Sequence, residues 1–170
     1  MFKSYNTLEE SNHSQPRVTA LLSCQNNVMP VSWHMPISKN PFRYAVAVRE
    51  ENYTHHLLEK HGSFNLNFLP FEFAEKVDIT GKVHGDKEDK LALTALEVFD
   101  INAHDNILLK DADFIYECIV CDTYQNGDHT IFVADVTKID VNERQSEKPM
   151  LFMGKGKYTT TMSYIELPKR

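Results

Sequence analysis

The chain has 170 residues, of which 42% are apolar and 25% charged, enough to build one sizeable core and too apolar for a largely disordered polymer. Eighteen Lys and Arg stand against 24 Asp and Glu, a formal net charge of −6, so no long-range positive field draws nucleic-acid phosphates or an anionic membrane. No apolar run is long enough to span a bilayer and the first residues, Met-Phe-Lys-Ser-Tyr-Asn, lack a signal-peptide core, so we expect a cytoplasmic protein with no nucleic-acid or membrane partner.

The polar stretch 1–15 carries little to bury and is expected to be a flexible segment ahead of a single domain over 16–170. Val18, Ala20, Leu22 and Cys24 alternate with Thr19, Leu21 and Ser23, the period-2 pattern of a strand with one strongly apolar face. Phe42–Arg49 is apolar on both faces and predicts a strand covered on both sides, with Gln25-Asn26-Asn27 and Ser38-Lys39-Asn40-Pro41 as the intervening turns. Asn52 is placed to cap a helix over Tyr53–His61 that Gly62 ends, with Thr54, Leu57, Leu58 and His61 on one face.

A strand follows at Ser63–Phe68, then a short helical piece from Phe71 to Lys76 opened by Pro70. A further helix is expected from about Asp86, where Glu88 and Asp89 complement its N-terminal dipole and Leu93 and Leu96 face inward. The second half is β-rich: Phe114–Cys121 alternates, Ile131–Val141 reads as a long, twisted or bulged strand, and Asn126-Gly127 is a strong hairpin signal between them. Strands early, helices in the middle and strands late predict an α+β protein built on an antiparallel barrel.

The common nucleotide, acyl-transfer and zinc-protease motifs are all absent from the sequence. Cys118 and Cys121 have C-x-x-C spacing, but on a strand they point to opposite faces, and with Cys24 they make an odd count; structural cysteines in a reducing compartment are the better reading. His55 and His56 diverge by about 100° on a helix and read as a solvated surface. His129, at a hairpin exit, faces either a cleft or water. Arg49 and the start of the next helix, Asn52-Tyr53-Thr54, bring together a guanidinium, a hydroxyl and free amides, a combination that suits a phosphate as well as it suits an ordinary cap and ion pair.

In order and spacing, Pro16–Ser23, Asn27-Val-Met-Pro-Val-Ser-Trp33, Ser38–Pro41, Arg49–Thr54, Gly62–Asn67, Gly85–Leu91, Glu117-Cys118 and Gly127-Asp-His129 resemble the flavin reductase-like, FMN-binding split-barrel family, including its flavoredoxin group. The resemblance spans roughly 16–158 and implies a mainly β, six-stranded antiparallel Greek-key split barrel with short peripheral helices. It implies a homodimer holding FMN near the subunit interface. By position, Asn27, Met29, Pro30, Val31 and Ser32 would line the isoalloxazine and ribityl portion, and Arg49, Asn52, Tyr53 and Thr54 would surround the phosphate, with Lys90 near that end.

His129 would lie by the flavin ring or the incoming nicotinamide as the catalytic-site residue. Pro30 stands where the family often has Thr, which removes a hydroxyl and a backbone donor; Leu91 replaces a common Phe. The implied activity is hydride transfer from NADH or NADPH to FMN with electrons passed to an acceptor. The alternative is an FMN-binding electron carrier reduced by a redox protein partner. No metal is expected.

Overall fold

Alternate residues of the long strands point into a single barrel interior in the computed structural model, which describes Ser4 and residues 15–144, 146 and 148–163. The predicted N-terminal segment therefore lies almost wholly outside the described residues. In chain order the strands are β1 (Arg17–Val18), β2 (Ala20–Cys24), β3 (Asn27–Val31), β4 (His34–Lys39), β5 (Phe42–Arg49), β6 (Ser63–Phe68), β7 (Val98–Ile101), β8 (Ile107–Leu109), β9 (Phe114–Asn126), β10 (His129–Val141), β11 (Leu151–Gly154) and β12 (Lys157–Thr159). Among the described residues three α-helices interrupt them: α1 (Tyr53–His61), α2 (Ala74–Lys82) and α3 (Lys90–Thr94).

The main sheet is antiparallel and runs β3-β2-β6-β9-β10-β5-β4. It holds seven strands where the resemblance implies six. Its two outer strands, β3 and β4, follow each other in sequence through Ser32-Trp33, so the sheet curls round until its edges meet there without closing. The mainly β architecture with short peripheral helices is the expected one.

Ala20, Leu22 and Cys24 of β2, Tyr44, Val46 and Val48 of β5, Phe64 and Leu66 of β6, and Phe132 and Ala134 of β10 fill the barrel, with Leu57 and Leu58 of α1 packed on it. The strand registers place these i, i+2 sets on one face of the sheet. β2 was expected to have one apolar face; its other face is buried as well, because Leu21 joins a second core with Val28, Val77, Leu96, Ile107 and Met150. That outer core lies under α2 and the β7–β8 hairpin, which the sequence did not reveal. Buried asparagines tie the hairpin down: Asn65 Nδ2 donates to Ile107 O at 3.1 Å, and Asn67 Oδ1 accepts from Leu109 N at 3.0 Å.

β5, β6 and α1 have the predicted bounds. Gly62 ends α1 with φ of 63°, its N–H donating to Leu58 O. Asn52 occupies the cap position but its side chain makes no capping hydrogen bond. The buried face of α1 is Thr54, His55, Leu57 and Leu58, whereas His61 is exposed; the expected solvated His55 is thus corrected to a buried one. The helical piece after Pro70 is a 3-10 turn followed by α2, and it runs to Lys82, beyond the predicted end. α3 begins at Lys90 with Asp89 as a true cap, accepting from Ala92 N at 3.1 Å, and Leu93 faces solvent rather than the core. Cys118 is buried and Cys121 exposed, so the C-x-x-C pair is not a convergent site. No helix among the described residues is long and apolar enough to cross a membrane.

Candidate functional site

β3 is an edge strand with α2 and α3 packed beside it. Between it and the start of α1 opens a cleft of about 190 Å³. Seven of the predicted residues meet there: Asn27, Met29 and Pro30 from β3, Asn52, Tyr53 and Thr54 from the start of α1, and Lys90 from the start of α3. The remaining wall, Thr80–Gly85, comes from the end of α2 and the segment after it.

The cleft's chemistry is set by burial. Lys90 is only 7% exposed, and its ammonium donates to a neutral partner, Val28 O, at 2.9 Å. Desolvation lowers its pKa to about 8, against a smaller opposing pull from Asp86. Asn27 Nδ2 donates to Thr54 Oγ1 at 2.8 Å, while Asn27 Oδ1 is buried with no donor. A buried acceptor without a partner costs about 1–3 kcal/mol. The N-terminal end of α1, carrying no side-chain cap, adds the positive end of a helix dipole. A buried cation, a helix start and an orphaned acceptor suit a ligand with both an anionic end and a hydroxyl or N–H donor.

Two glycines let the walls approach. A Cβ at Gly85 would overlap Asn27 Oδ1, and one at Gly81 would come within 2.9 Å of Pro30 Cγ. These glycines are the signal that could have drawn 80–85 into the site from sequence, in a chain with six glycines in all.

Ser32, beyond the end of β3, lines a second, largely apolar groove of about 480 Å³ with Arg17, Trp33, His34, Met35 and Ile131. Val31 between the two cavities turns into the barrel core. Trp33 and His129 stack at the groove, with centroids 4.7 Å apart; the indole was not singled out from sequence, although it is the chain's one Trp. His34 bonds Tyr44 Oη at 2.9 Å and Val18 O at 3.0 Å, and burial lowers its pKa.

Arg49 and His129 face each other in register across β5 and β10. Both reach Asp128: His129 Nδ1 lies 2.7 Å from Oδ1 and Arg49 Nε 3.8 Å from Oδ2. Arg49 also lies 3.5 Å from Glu51, and its half-exposed side chain is not among the walls of the polar cleft. The structure thus separates the predicted residues into a polar cleft, an apolar groove and an Arg49–Asp128–His129 cluster on the hairpin rim.

Residues 14–161 match the model of the flavin reductase like domain. An uncharacterized protein of Archaeoglobus fulgidus is 29% identical over 113 residues, covering 66% of this chain and 64% of that protein. Among solved structures, the FMN-binding protein from Thermus thermophilus with bound p-hydroxybenzaldehyde superposes with a TM-score of 0.87 at 25% identity, covering 99% of both chains. The flavoredoxin from Methanosarcina acetivorans gives a TM-score of 0.85 at 25% identity, covering 98% of this chain and 94% of that one.

Proposed function

The chain belongs to the flavin reductase-like domain family, and from that premise we propose that it is an FMN-dependent oxidoreductase whose phosphate and ribityl subsites are the cleft between β3 and α1. The observation that carries this reading is the pairing of the buried Lys90 ammonium with the uncapped start of α1 in one cleft. The residues present fit the cofactor: Lys90 and the α1 amides supply donors for a phosphate, and Asn27 Oδ1 is a buried acceptor waiting for a donor such as a ribityl hydroxyl.

Met29, Pro30 and Ser32 carry β3 from this cleft to the apolar groove, and its outer edge offers main-chain groups to the ring heteroatoms. Pro30 contributes no N–H to that edge, so its part is shape, set by its packing on Gly81. When bound, FMN would supply the hydride acceptance and onward electron transfer. The chain's own residues bind and orient: the Trp33–His129 stack forms a flat wall for a nicotinamide donor, and Asp128 holds the His129 ring through Nδ1. Arg49 stands at the same rim, where Glu51 and Asp128 offset its charge.

The test is FMN titration followed by NAD(P)H oxidation. Saturable quenching of FMN fluorescence with NADH- or NADPH-dependent turnover is expected. A folded chain that neither carries nor binds FMN overturns the reading. The likeness to a flavoredoxin favours a second reading, an electron carrier; tight FMN binding with negligible NAD(P)H turnover selects it. A homodimer bringing two such sites together belongs to the same proposal and is read by light scattering.

A further inference from the structure

At the edge of the buried face of α1, the buried His55 meets the exposed His56 and Glu59. One ring nitrogen from each histidine and a Glu59 carboxylate oxygen lie within 4.8 Å of one another. Glu59 makes the meeting possible, because it is four residues from His55 and three from His56, with Oε2 at 3.4 Å and 4.0 Å from their Nδ1 atoms. Two adjacent histidines that diverge on the helix converge on the carboxylate one turn later.

His55 carries the decisive observation. The residue is 5% exposed and its Nδ1 is buried without a hydrogen bond, while Nε2 sits 2.8 Å from Thr130 Oγ1. With the proton on Nε2 donated to Thr130, Nδ1 keeps its lone pair for a ligand, 3.4 Å from Glu59 Oε2. A metal-binding histidine has this arrangement: the far ring nitrogen donates to an oxygen, which fixes tautomer and orientation. The ring is further held edge-on against Phe132, 5.3 Å between centroids.

We propose that His55, His56 and Glu59 form a binding site for a divalent transition-metal cation, with Zn²⁺ the best match. Two imidazoles and a carboxylate are a zinc donor set, and tetrahedral Zn²⁺ needs its ligand atoms about 3.3 Å apart. The present spacings, within 4.8 Å, are wider than that, and two of the three donors sit on the exposed side chains of His56 and Glu59. The fourth position opens into a cleft of about 400 Å³ that Glu50, Thr123 and Gln125 also line, leaving room for water. Bound there, the cation would anchor the first turn of α1, where Thr54, the residue before His55, lines the polar cleft.

The test is calorimetric titration of the chelator-treated chain with Zn²⁺, with Co²⁺ absorption as the reporter of coordination. One equivalent per chain is expected, with visible Co²⁺ d–d bands. His56→Ala and Glu59→Gln sit on the exposed face, so both variants fold, and each weakens Zn²⁺ binding at least tenfold and removes the Co²⁺ bands. Failure of the folded chain to take up Zn²⁺ saturably overturns the site, and so does uptake that both variants retain at unchanged affinity. Neither residue lines the FMN cleft, so the outcome is independent of the flavin reading.

Discussion

The ammonium of Lys90 donates to the main-chain oxygen of Val28 across 2.9 Å, a buried charge held by a neutral dipole. That arrangement stabilises a dianion better than it stabilises the empty fold. Its lowered pKa of about 8 means that at neutral pH the free protein retains the proton at a cost of up to about 3 kcal/mol. Lys90→Met is therefore expected to raise the stability of the FMN-free protein by about 1–3 kcal/mol in urea unfolding. The same change should weaken FMN binding about ten- to a hundredfold, because it removes a charge-assisted hydrogen bond. A variant that is less stable and binds FMN normally would show Lys90 to be structural.

The same group predicts a pH dependence. A phosphate beside Lys90 raises its pKa, so binding takes up a proton once the free protein has lost it. FMN affinity should hold below pH 8 and fall above it, approaching tenfold per pH unit. For the FMN-free fold the sign is opposite: the unfolded chain binds the proton more tightly, so stability rises from about pH 8 toward the ordinary lysine range. FMN titrations at pH 7, 8, 9 and 10 test this; in Lys90→Met the slope should vanish.

How far the site was legible follows from what each residue's neighbours are. Asn27, Asn52, Thr54 and Lys90 were named as FMN-binding positions through the family resemblance alone, and the structure gathers them in one cleft. β5 was legible because its apolar pattern follows its burial, whereas β6 was legible only by its alternation, since its buried Ser63, Asn65 and Asn67 look like a solvent face. His55 was not: its burial depends on Thr130, 75 residues away, and no helical periodicity encodes that. The β7–β8 hairpin was hidden for a similar reason, since its anchors are Asn65 and Asn67, polar residues that in sequence look like a solvent face. The Thr80–Gly85 wall was missed because the helical piece was ended at Lys76, whereas α2 runs on to Lys82 and Gly81 within it admits Pro30.

His129 is expected to act on the electron donor rather than on FMN retention. Its ring stacks on Trp33, away from the polar cleft, and its Nδ1 pairs with Asp128, whose pKa that hydrogen bond lowers, with a further pull from Arg49. In His129→Ala, kcat/KM for NADH or NADPH should fall about tenfold, in line with a lost aromatic contact of ~0.5–1.5 kcal/mol. The FMN Kd should stay within about twofold, provided the contact energy is confined to the donor. An FMN Kd that worsens as much as kcat/KM would place His129 on the cofactor instead.

Asn67 carries a structural prediction. Its side chain is fully buried, donating to Leu21 O at 3.1 Å and Ser23 Oγ at 3.0 Å and accepting from Leu109 N. Asn67→Ala strands these groups between the sheet and β8, at roughly 1–3 kcal/mol for each left without water. Urea unfolding should show the loss, and hydrogen exchange should place the weakened protection in Ile107–Leu109. Unchanged exchange there would mean that the outer core alone holds the hairpin.

Gly85 offers the sharpest separation of site from fold. A Cβ at this position would overlap Asn27 Oδ1 and lie 3.4 Å from the Tyr53 ring, so Gly85→Ala must push the Asn27 side chain aside. The Asn27–Thr54 hydrogen bond is then lost and the acceptor proposed for the ribityl chain leaves its place. The barrel core contains neither Gly85 nor Asn27, so the melting temperature should drop by no more than a few degrees, consistent with a loss of about 1 kcal/mol. FMN affinity should fall at least tenfold, and Asn27→Ala introduced into the same variant should add little, because the two changes act through one side chain. Full additivity of the two substitutions in FMN titrations would show that Gly85 and Asn27 contact the ligand independently.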